Sequence, residues 1–465
     1  MTDTRDHDLS PPHSITRRQC LQAGLTGAGL TALSLLEGCT AGSSERALTQ
    51  RAPKHSPNVV VIGGGFAGAT CARVLAESGV NVVLVDPSEQ YVACPMSNLV
   101  IASLRNIEAQ TFQPQGFPEN VTVVRQMAQY IDAEQQQVTL EDGVVLNYDR
   151  LVLAPGIDLR WSALEGYDTE AAKRMPHAWK AGPQTLLLRD QLRAMPNGGT
   201  VVMSVPANPY RCPPGPYERA SLIAHYLKTH KPRSKLIVLD AKDRFSKQSL
   251  FQRAWKEQYS NLIEWQGLSD GAQVVRIDAK RNTLHTDFDE FRADVANVIP
   301  PQQAGSIAIT SDIADASGWC PIQPATFEST RVPNVHIIGD AAIANAMPKS
   351  AFAANAQAKL CAIQVTRLLS DQDPLSVPLI NTCYSLINPN YGISVADVYQ
   401  PTQSAWSPTP GAGGVSATNA PASHRQKEAD YAHHWFKTIT QEAFGSTPTT
   451  KQKERDKNRH RNRIV

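Results

Sequence analysis

The sequence predicts an α/β fold with two Rossmann-like dinucleotide-binding-type domains and a C-terminal α+β domain. Residues 58–87 and 198–240 each follow the order apolar strand, turn, helix, apolar strand, which is the repeating unit of a parallel sheet covered by helices. Residues 371–445 form a separate unit that ends in a long helical pattern. The 465 residues, 42% of them hydrophobic, are enough for two or three domains with their own cores.

The charge and cysteine content exclude several classes of protein. A net charge of +2, with 19% charged residues, argues against a dedicated nucleic-acid binder. Eight cysteines are too few for a disulfide scaffold, so specific pairs or single reactive thiols remain open. No metal site is predicted, and the chain contains no Cys-x-x-Cys-His sequence for covalent haem.

The first 50 residues have the layout of an export signal and linker. Arg17 and Arg18 precede an apolar, glycine-rich stretch at 21–36, which is short for a membrane span of ~20 residues. TRRQCLQ resembles a twin-arginine signal, although Cys20 stands where an aromatic residue is usual. We therefore expect a periplasmic protein in an oxidising compartment. An uncleaved membrane anchor and a lipoprotein-type cleavage before Cys39 are the alternatives.

Residues 58–87 carry the glycine turn of a dinucleotide-binding unit. Gly63, Gly65 and Gly68 form G-x-G-x-x-G between the first strand and the helix. They permit the tight turn, the approach of backbone to a pyrophosphate and the packing of helix on strand, respectively. Asp86 closes the next strand, some 20 residues on, where an acid binds a ribose hydroxyl pair. The whole pattern predicts dinucleotide binding, which a lone glycine triplet would not.

Two later strands indicate which dinucleotide is bound. One, at 148–157, closes on Gly156, and the other, at 334–342, ends in Gly339 and Asp340. With the first unit they resemble the FAD domain of the two-dinucleotide-binding-domain flavoproteins, whose fold is glutathione-reductase-like. In that family the late Gly-Asp pair holds the ribityl and phosphate portion of FAD. The resemblance implies FAD as cofactor and a discontinuous FAD domain.

These patterns divide the chain into six predicted segments. They are the twin-arginine-type export signal and linker at 1–50, the first part of the FAD-binding domain at 56–160, a second nucleotide-type domain at 161–295, the second part of the FAD-binding domain at 296–370, the C-terminal domain at 371–445, and a basic disordered tail at 446–465. No segment after the signal looks transmembrane. An anionic partner or membrane surface is the alternative reading of the tail.

The turn of the second unit, PANPYRCPPGPYER at 206–219, lacks the expected glycines. Prolines have a fixed φ and no amide hydrogen, so they offer phosphate no cradle of backbone N–H groups. Asp240 still closes the next strand where a ribose-binding acid would lie, but without the glycine loop we expect no tight NAD(P)H binding. The turn carries Cys212 instead. Glu218 follows at the start of the predicted helix 218–228 as a base, a thiol-orienting group or a helix-capping acid.

The C-terminal unit contains a predicted loop and a predicted helix. Residues 401–421 are rich in proline, glycine and serine, which is typical of a loop, whereas 422–444 have a helical period. Tyr431, Trp435 and Phe436 form one aromatic face of this helix, which we predict to pack in the core. The helix lacks the apolar character needed to enter a lipid surface.

Several local strings closely resemble the flavin-binding subunit of flavocytochrome c sulfide dehydrogenase. They are RCPPGPYERAS, YVACPMSN, GWCP, IGDAAIANAMPKSAFAANAQAK and NTCYSLINPNYGISVADVY, all between residues 58 and 445. Sulfide:quinone oxidoreductases share the architecture but match these strings less well. The resemblance implies an FAD enzyme that oxidises sulfide to sulfur or polysulfide and passes electrons to a c-type cytochrome subunit.

The resemblance also implies roles for four cysteines. Cys94 matches the cysteine that forms a thioether to the flavin, although its two neighbours depart from the family pattern. Cys212 matches one half of a redox-active disulfide beside the flavin, with Cys383 as the favoured partner and Cys320 as the competing one.

Further residues follow from the same resemblance. Glu218 matches a carboxylate near the disulfide, and Pro348 and Lys349 match a loop beside the flavin. A lysine there stabilises the negative charge of reduced flavin, whereas a surface lysine is the alternative. Cys71 and Cys361 lie within helical patterns and are predicted to be core residues.

The implied chemistry is thiol–disulfide exchange followed by flavin reduction. Hydrosulfide opens the disulfide and forms a cysteine persulfide, and the freed thiolate passes two electrons to FAD. An external one-electron acceptor is expected, since the chain carries neither a haem site nor a second nucleotide loop. The alternatives are a sulfide:quinone oxidoreductase, a non-catalytic electron-transfer flavoprotein, and a periplasmic disulfide or persulfide reductase. The sequence does not separate sulfide from polysulfide or small thiols as substrate.

Overall fold

The computed structural model describes residues 58–445. The predicted export signal at 1–50 and the predicted tail at 446–465 lie outside the described residues. Within 58–445, no helix is both long enough and apolar enough to cross a membrane.

Eight α-helices lie within the described residues. They are α1 Phe66–Glu77, α2 Ser97–Ile101, α3 Pro183–Ala194, α4 Gly215–His230, α5 Gln248–Gln258, α6 Ser306–Thr310, α7 Ala351–Leu369 and α8 Ala422–Phe444. Short 3-10 helices occupy Ile107–Gln110, Trp161–Ala163, Ala171–Lys173, Leu268–Asp270 and Gly339–Ala341.

The strands of the same region belong to several sheets. They are β1 Asn58–Ile62, β2 Asn81–Val85, β3 Tyr91–Val92, β4 Thr111–Phe112, β5 Val121–Val124, β6 Ala128–Asp132, β7 Gln137–Leu140, β8 Val145–Asn147, β9 Arg150–Leu153, β10 Ile157–Leu159, β11 Thr200–Val205, β12 Lys235–Asp240, β13 Ile263–Gln266, β14 Arg276–Asp278, β15 Thr283–His285, β16 Glu290–Arg292, β17 Val295–Val298, β18 Gln302–Ala304, β19 Cys320–Pro321, β20 Val335–Ile337, β21 Ala342–Ile343, β22 Leu379–Asn388, β23 Tyr391–Pro401, β24 Trp406–Pro408 and β25 Gly414–Val415.

The first sheet is parallel and has the strand order β20-β9-β1-β2-β5. Its central strand β1 is almost wholly apolar and buried, as expected for a parallel sheet covered on both faces. Gly63 leaves β1 with φ +97, and a Cβ at Gly68 would lie 1.8 Å from the Gly63 carbonyl oxygen. Glycine at both positions therefore lets α1 begin directly against the end of β1, at the carboxyl edge of the sheet.

The second sheet repeats this arrangement with the order β13-β12-β11-β17, again parallel. The helix after β11 was predicted from residue 218, but α4 begins at Gly215. Pro214 is its N-cap and Pro216 lies in its first turn, where the missing amide hydrogen of proline costs no helical hydrogen bond. The proline-rich turn is therefore shorter than predicted, and part of it is helix.

The third main sheet is antiparallel, with the order β22-β23-β24 and with β25 paired to β23. The prediction of 401–421 as loop is wrong in part, since β24 and β25 lie within it. Trp406 opens β24 as a fully buried side chain and stacks on Phe327, with ring centroids 5.6 Å apart. Burial of the Trp406 ring therefore favours a strand here, despite the local preference of proline, glycine and serine for turns.

Helix α8 has the predicted bounds, but its predicted aromatic face is wrong in part. Phe436 is buried and Trp435 is half-buried, whereas Tyr431 is 53% exposed. The buried stripe runs instead through Ala432, Phe436 and Ala443, and successive helical residues are rotated by about 100°. Tyr431 therefore lies beside the stripe rather than within it.

Helix packing joins the three sheets at one place. Strand β22 packs against α4 of the second unit and against α7 and α8, and α7 also packs against α1 of the first unit. The start of α4 and the middle of β22 are thereby brought together. These two places carry the predicted reactive cysteines.

Candidate functional site

Cys212 lies in the turn before α4 in a left-handed conformation, with φ +59. Its amide donates to the Lys349 carbonyl oxygen at 2.7 Å, and its own carbonyl accepts from the Gly215 amide at 2.8 Å. A Cβ on Gly215 would lie 3.0 Å from the Cys212 Sγ. A left-handed non-glycine residue costs of order 1–3 kcal/mol, so the surrounding turn holds the thiol in a position that it would not adopt alone.

Cys383 lies on β22 and is buried, with 9% of the residue exposed, whereas Cys212 is half-buried. Asn381 donates through Nδ2 to its Sγ at 3.4 Å. Burial raises the pKa of the Cys212 thiol, and the negative charges available to Cys383 and Glu218 raise it further. The two cysteines are therefore close enough to influence one another, although they come from different domains of the predicted layout.

The other described cysteines occupy different surroundings. Cys320 is fully buried on β19, opposite Ala342 of β21. Cys71 and Cys361 are buried core residues, as predicted, and they lie close enough for Cys71 to raise the pKa of Cys361. All six described cysteines are free thiols, so the pairing of Cys212 stays a prediction.

Glu218 lies in the first turn of α4 and connects three elements. Its Oε1 accepts from the Leu386 amide at 2.9 Å, and its Oε2 accepts from Asn98 Nδ2 at 2.7 Å. Burial raises the pKa of this carboxyl, and the two hydrogen bonds oppose that rise. The neighbouring Arg219 is fully buried and donates to Asn98 Oδ1 at 3.0 Å. Glu218 is therefore a half-buried acid in the cysteine cluster rather than an exposed helix-capping residue.

Lys247 is a member of this cluster that sequence reasoning missed. It is 8% exposed, and its Nζ donates to the Cys383 carbonyl and to Ser385 Oγ, both at 2.8 Å. Burial lowers its pKa to about 8, opposed by the charges of Cys383 and Glu218. No local pattern marks this lysine, because its partners lie more than 130 residues away in the chain.

Lys349 and Asp340 form a second, largely enclosed group next to Cys212, in which both residues are half-buried. Lys349 Nζ donates to the carbonyls of Asp340 and Ala342 at 2.8 and 2.7 Å, and it lies 3.9 Å from the ring centroid of Trp319. Burial lowers its pKa to about 8. Gly339, Pro348 and Lys349 line a small cavity. The predicted residues of both loops are thus adjacent in space, and Lys349 is not a surface lysine.

Arg211 connects the remaining predicted cysteine to this group. Its Nη2 donates to Cys94 Sγ at 3.1 Å and to the Trp179 carbonyl, and its Nη1 lies 4.0 Å from Asp340 Oδ2. Burial raises the pKa of Asp340, and the charges of Arg211 and Lys349 oppose that rise. Sequence reasoning passed over Arg211, although it directly precedes Cys212 within the string RCPPGPYERAS.

The second nucleotide turn is filled by the protein's own side chains. Asp240 is fully buried and accepts from Tyr217 at 2.6 Å, from Trp265 at 3.1 Å and from Lys242 at 2.5 Å. Tyr217 in turn stacks on Phe245, with centroids 3.5 Å apart. The acid that would bind a ribose in an NAD(P)H site is therefore saturated by internal partners.

Three family models match adjoining parts of the chain. The model described as sulfide dehydrogenase (flavocytochrome c) flavoprotein chain, central, matches residues 185–300. The model described as flavocytochrome c sulphide dehydrogenase, flavin-binding, matches residues 376–444. The chain belongs to the flavoprotein chains of flavocytochrome c sulfide dehydrogenase. A pyridine nucleotide-disulphide oxidoreductase model matches residues 57–184.

Individual proteins similar to this flavoprotein chain fall into two groups. The flavocytochrome c sulfide dehydrogenase flavoprotein chain of Chlorobaculum thiosulfatiphilum is 48% identical over 44 residues, which are 9% of this chain and 92% of that one. The mitochondrial sulfide:quinone oxidoreductase of Dictyostelium discoideum is 23% identical over 306 residues. The match covers 63% of this chain and 66%, just under two thirds, of that relative.

A solved structure supports the same fold. The sulfide:quinone oxidoreductase of Aquifex aeolicus aligns with a TM-score of 0.65 at 15% identity, over 84% of this chain and 93% of that one. Likeness at this identity shows the fold alone. The predicted two-domain α/β class with its C-terminal domain is confirmed.

The residues of this flavoprotein chain fit FAD, the cofactor that the family supports. The first turn of α1 has no side-chain cap, and such N–H groups bind phosphate. Asp86 follows β2 and accepts from the Gly64 amide at 2.5 Å, and a Cβ on Gly65 would face the Tyr91 ring at 3.4 Å. Asp340 Oδ1 is buried and has no hydrogen-bond partner in the described part of the chain. Such an acceptor suits a ribityl hydroxyl group.

The two remaining glycines of the predicted cofactor site have left-handed φ angles. They are Gly156 at +67, three residues after the end of β9, and Gly339 at +74, two residues after the end of β20. Both therefore permit a sharp turn at the same edge of the sheet as α1. The roles of all these residues toward FAD stay predictions.

Proposed function

We propose that this protein oxidises sulfide through a Cys212–Cys383 disulfide and FAD and passes the electrons to a c-type cytochrome in the periplasm. The observation that carries the proposal is the buried cluster in which Cys212, Cys383, Glu218 and Lys247 meet beside the Lys349 loop. Two thiols, an acid and an amine in one buried place suit sulfur exchange better than structural support.

The proposed sulfur chemistry balances in three steps. Hydrosulfide attacks one sulfur of the disulfide, so that a new S–S bond forms, the old one breaks and the other cysteine leaves as a thiolate. A second hydrosulfide removes the outer sulfur as HS–S⁻ and leaves a thiol. The thiol and thiolate then close the disulfide again, releasing one proton and two electrons. Glu218, whose pKa burial raises, is suited to take up that proton.

The cofactor determines how the two electrons leave. FAD, when bound, accepts an electron pair and releases it in single-electron steps. Lys349 would stabilise negative charge on the reduced flavin, and Asp340 with the first turn of α1 would hold its ribityl and phosphate groups. Cys94 would anchor it covalently, and Arg211, which donates to Cys94 Sγ, would hold that sulfur in place.

Two observations support cytochrome c as the electron acceptor: the second nucleotide-type unit lacks an open NAD(P)H site, and the family is named for cytochrome c. NAD(P)H exchange is disfavoured because Tyr217, Trp265 and Lys242 occupy the carboxylate of Asp240. Flavoprotein chains of this family are named for their association with cytochrome c. The twin-arginine-type signal predicted at 1–50 is consistent with a periplasmic partner.

Quinone is the second candidate acceptor. Two relatives that match 63% and 69% of this chain are named sulfide:quinone oxidoreductases, which favours this alternative at the level of the whole chain. The two acceptors differ in whether one-electron or two-electron transfer ends the cycle. They are separated by direct reoxidation measurements.

Anaerobic mixing with sulfide tests the proposal. We expect sulfide to bleach the flavin absorbance, cytochrome c to restore it, and NAD⁺ to leave it unchanged. Cys212→Ser and Cys383→Ser should both keep the bound flavin and lose at least ~10³-fold in bleaching rate, since removal of a reactive group costs about that much. Cys320→Ser is the matched control and should bleach normally.

The alternatives give different results in the same experiment. Reoxidation by quinone but not by cytochrome c would favour the second candidate. Polysulfide or a small thiol that bleaches faster than sulfide would replace the proposed substrate. Unchanged bleaching in Cys212→Ser would overturn the disulfide mechanism.

Covalent flavin attachment is tested separately. Acid-precipitated wild-type protein should remain yellow, because a thioether survives denaturation, and Cys94→Ala protein should release its flavin into the supernatant. Cys71→Ala, at a buried cysteine away from Arg211, should keep the flavin in the pellet. Release of all flavin from the wild type would show that the attachment is absent.

A further inference from the structure

Lys247 occupies an unusual position for a lysine. It precedes α5 as its N-cap residue in a left-handed conformation, with φ 61 and ψ 28, and it is almost wholly buried. Its two acceptors, the Cys383 carbonyl and Ser385 Oγ, both belong to β22. A charged amine in such a place needs partners that offset its lost hydration.

The groups that face Lys247 are mostly potential anions. They are Cys383 on β22, Glu218 on α4, Cys212 in the preceding turn, and Glu428 on α8. Glu428 already has a cationic partner, since Arg425 donates to it at 3.0 Å. Arg219, the residue after Glu218, is also engaged elsewhere, since it donates to Asn98 and Asn297. Lys247 is thus the cation that donates its hydrogen bonds to Cys383 and to Ser385 on the same strand.

Lys247 has a hydrogen-bond donor to spare. An ammonium group has three N–H bonds, and the described residues account for two of them. Asn381 Nδ2 already donates to the Cys383 Sγ from the other side at 3.4 Å. Negative charge on the Cys383 sulfur would therefore be stabilised by the Asn381 donor and by the nearby Lys247 ammonium group, in a site with little water.

We propose that Lys247 is a positioning residue that holds the negative charge on Cys383 when the disulfide opens. Cys383 is then the sulfur that leaves as thiolate, and Cys212 is the sulfur that hydrosulfide attacks and that carries the persulfide. One S–S bond breaks, one forms, and the charge of hydrosulfide ends on Cys383. This inference rests on the proposed function, because it assumes that the two cysteines exchange sulfur.

Chemical modification of the reduced protein tests the inference without sulfide. The holoenzyme is reduced with a phosphine, alkylated with iodoacetamide at pH 8, and the extent at each cysteine is measured by peptide mass spectrometry. We expect Lys247→Met to slow alkylation of Cys383 at least tenfold and that of Cys212 less than threefold. Lys247→Arg should restore most of the Cys383 rate, because the charge returns.

The potential of the cysteine pair gives a second readout. A tenfold loss of stabilisation of the Cys383 thiolate in Lys247→Met should lower the potential of the pair by about 30 mV, the two-electron equivalent of that factor. Lys256→Met is the matched control, since Lys256 lies exposed on α5, and it should change neither the potential nor the alkylation. If Lys247→Met fails to fold, Ser385→Ala, which removes one acceptor of Lys247, should slow Cys383 alkylation two- to threefold.

The outcomes separate this inference from the proposed function. Unchanged Cys383 alkylation in Lys247→Met, or equal slowing at both cysteines, would overturn the role of Lys247 even if sulfide bleaches the flavin. A wild type that sulfide does not bleach would overturn the proposed function, while the alkylation pattern would still report the charge at Cys383.

Discussion

Cys212 has a left-handed backbone conformation, which a residue other than glycine rarely adopts. Its left-handed φ places the amide against the Lys349 carbonyl, and the neighbouring Gly215 leaves room for the sulfur. Prolines on both sides restrict the turn to few alternatives. The same prolines that exclude a phosphate cradle therefore fix a thiol between the second unit and the Lys349 loop.

The effect of the Glu218 charge should be measurable as a change in the reactivity of the Cys212 thiol. Glu218→Gln removes a negative charge that raises the pKa of the Cys212 thiol, so that pKa should fall. Alkylation of reduced Cys212 at pH 8 should then be several-fold faster, as measured by peptide mass spectrometry. Glu119→Gln, at an exposed site, is the control and should leave the rate unchanged. A slower Cys212 reaction in Glu218→Gln would contradict this sign.

At this scale the sequence identified reactive residues better than their supporting residues. Cys212 and Glu218 stand in a turn whose composition is unusual within a few residues. Arg211 and Lys247 are ordinary basic residues locally, and their importance arises from burial beside Cys94, Asp340 and Cys383. Burial of a charge is a property of the folded chain, so no local pattern reports it.

At the scale of elements, the contact between β23 and α8 positions the C-terminal sheet. A Cβ on Gly392 would lie 2.4 Å from the Ala429 amide nitrogen and 2.6 Å from the Glu428 carbonyl carbon. Both atoms belong to the backbone of α8, which has no side-chain freedom to give way. The strand that pairs with the Cys383 strand is therefore held directly against the helix.

Gly392→Ala should destabilise the protein by about 1–3 kcal/mol, because an overpacked site forces backbone to move. Urea unfolding followed by circular dichroism measures this loss. Gly414→Ala on β25 is a matched control in the same sheet, since a Cβ there meets nothing within 4 Å. Its effect should stay within about 0.5 kcal/mol, as for most surface changes. Equal losses in both variants would show that the contact with α8 is not the cause.

Element prediction failed where one side chain overrode local composition. The helix of 422–444 and the two Rossmann-type units follow from periodicity over 10 to 30 residues and were found. The strand at Trp406 was missed because proline, glycine and serine dominate its surroundings. Its partner, Phe327, lies in a different segment of the chain.

At the scale of the whole molecule, two buried histidines connect stability to pH. Burial lowers the pKa of His177 to about 3, and nearby Arg219 and Lys180 lower it further. Burial also lowers the pKa of His336 to about 4. His177 Nδ1 accepts from the Trp179 amide at 2.9 Å, which suits the neutral ring.

The unfolded chain binds protons at these histidines below about pH 6.5, whereas the folded chain does not. The contribution of each histidine to the free energy of unfolding is therefore fully present above that pH and is lost as the pH falls. The loss is about 2 kcal/mol for each histidine at pH 5. Urea unfolding at pH 7.5 and 5.0 measures the difference. His336→Gln should reduce it by about half, and His434→Gln, at an exposed site, should not. Equal wild-type stability at both pH values would contradict this assignment.

The sequence by itself determined the fold class, the glycine turn that follows β1, and the proline-rich turn that follows β11. Each depends on residues close together in the chain, where backbone preferences and side-chain period act directly. The tertiary structure alone placed Cys212 near Cys383, the Lys247 amine against the Cys383 strand, and Arg211 between Cys94 and Asp340. These arrangements depend on which buried charges share one low-dielectric space, and only the packing of all three sheets decides that.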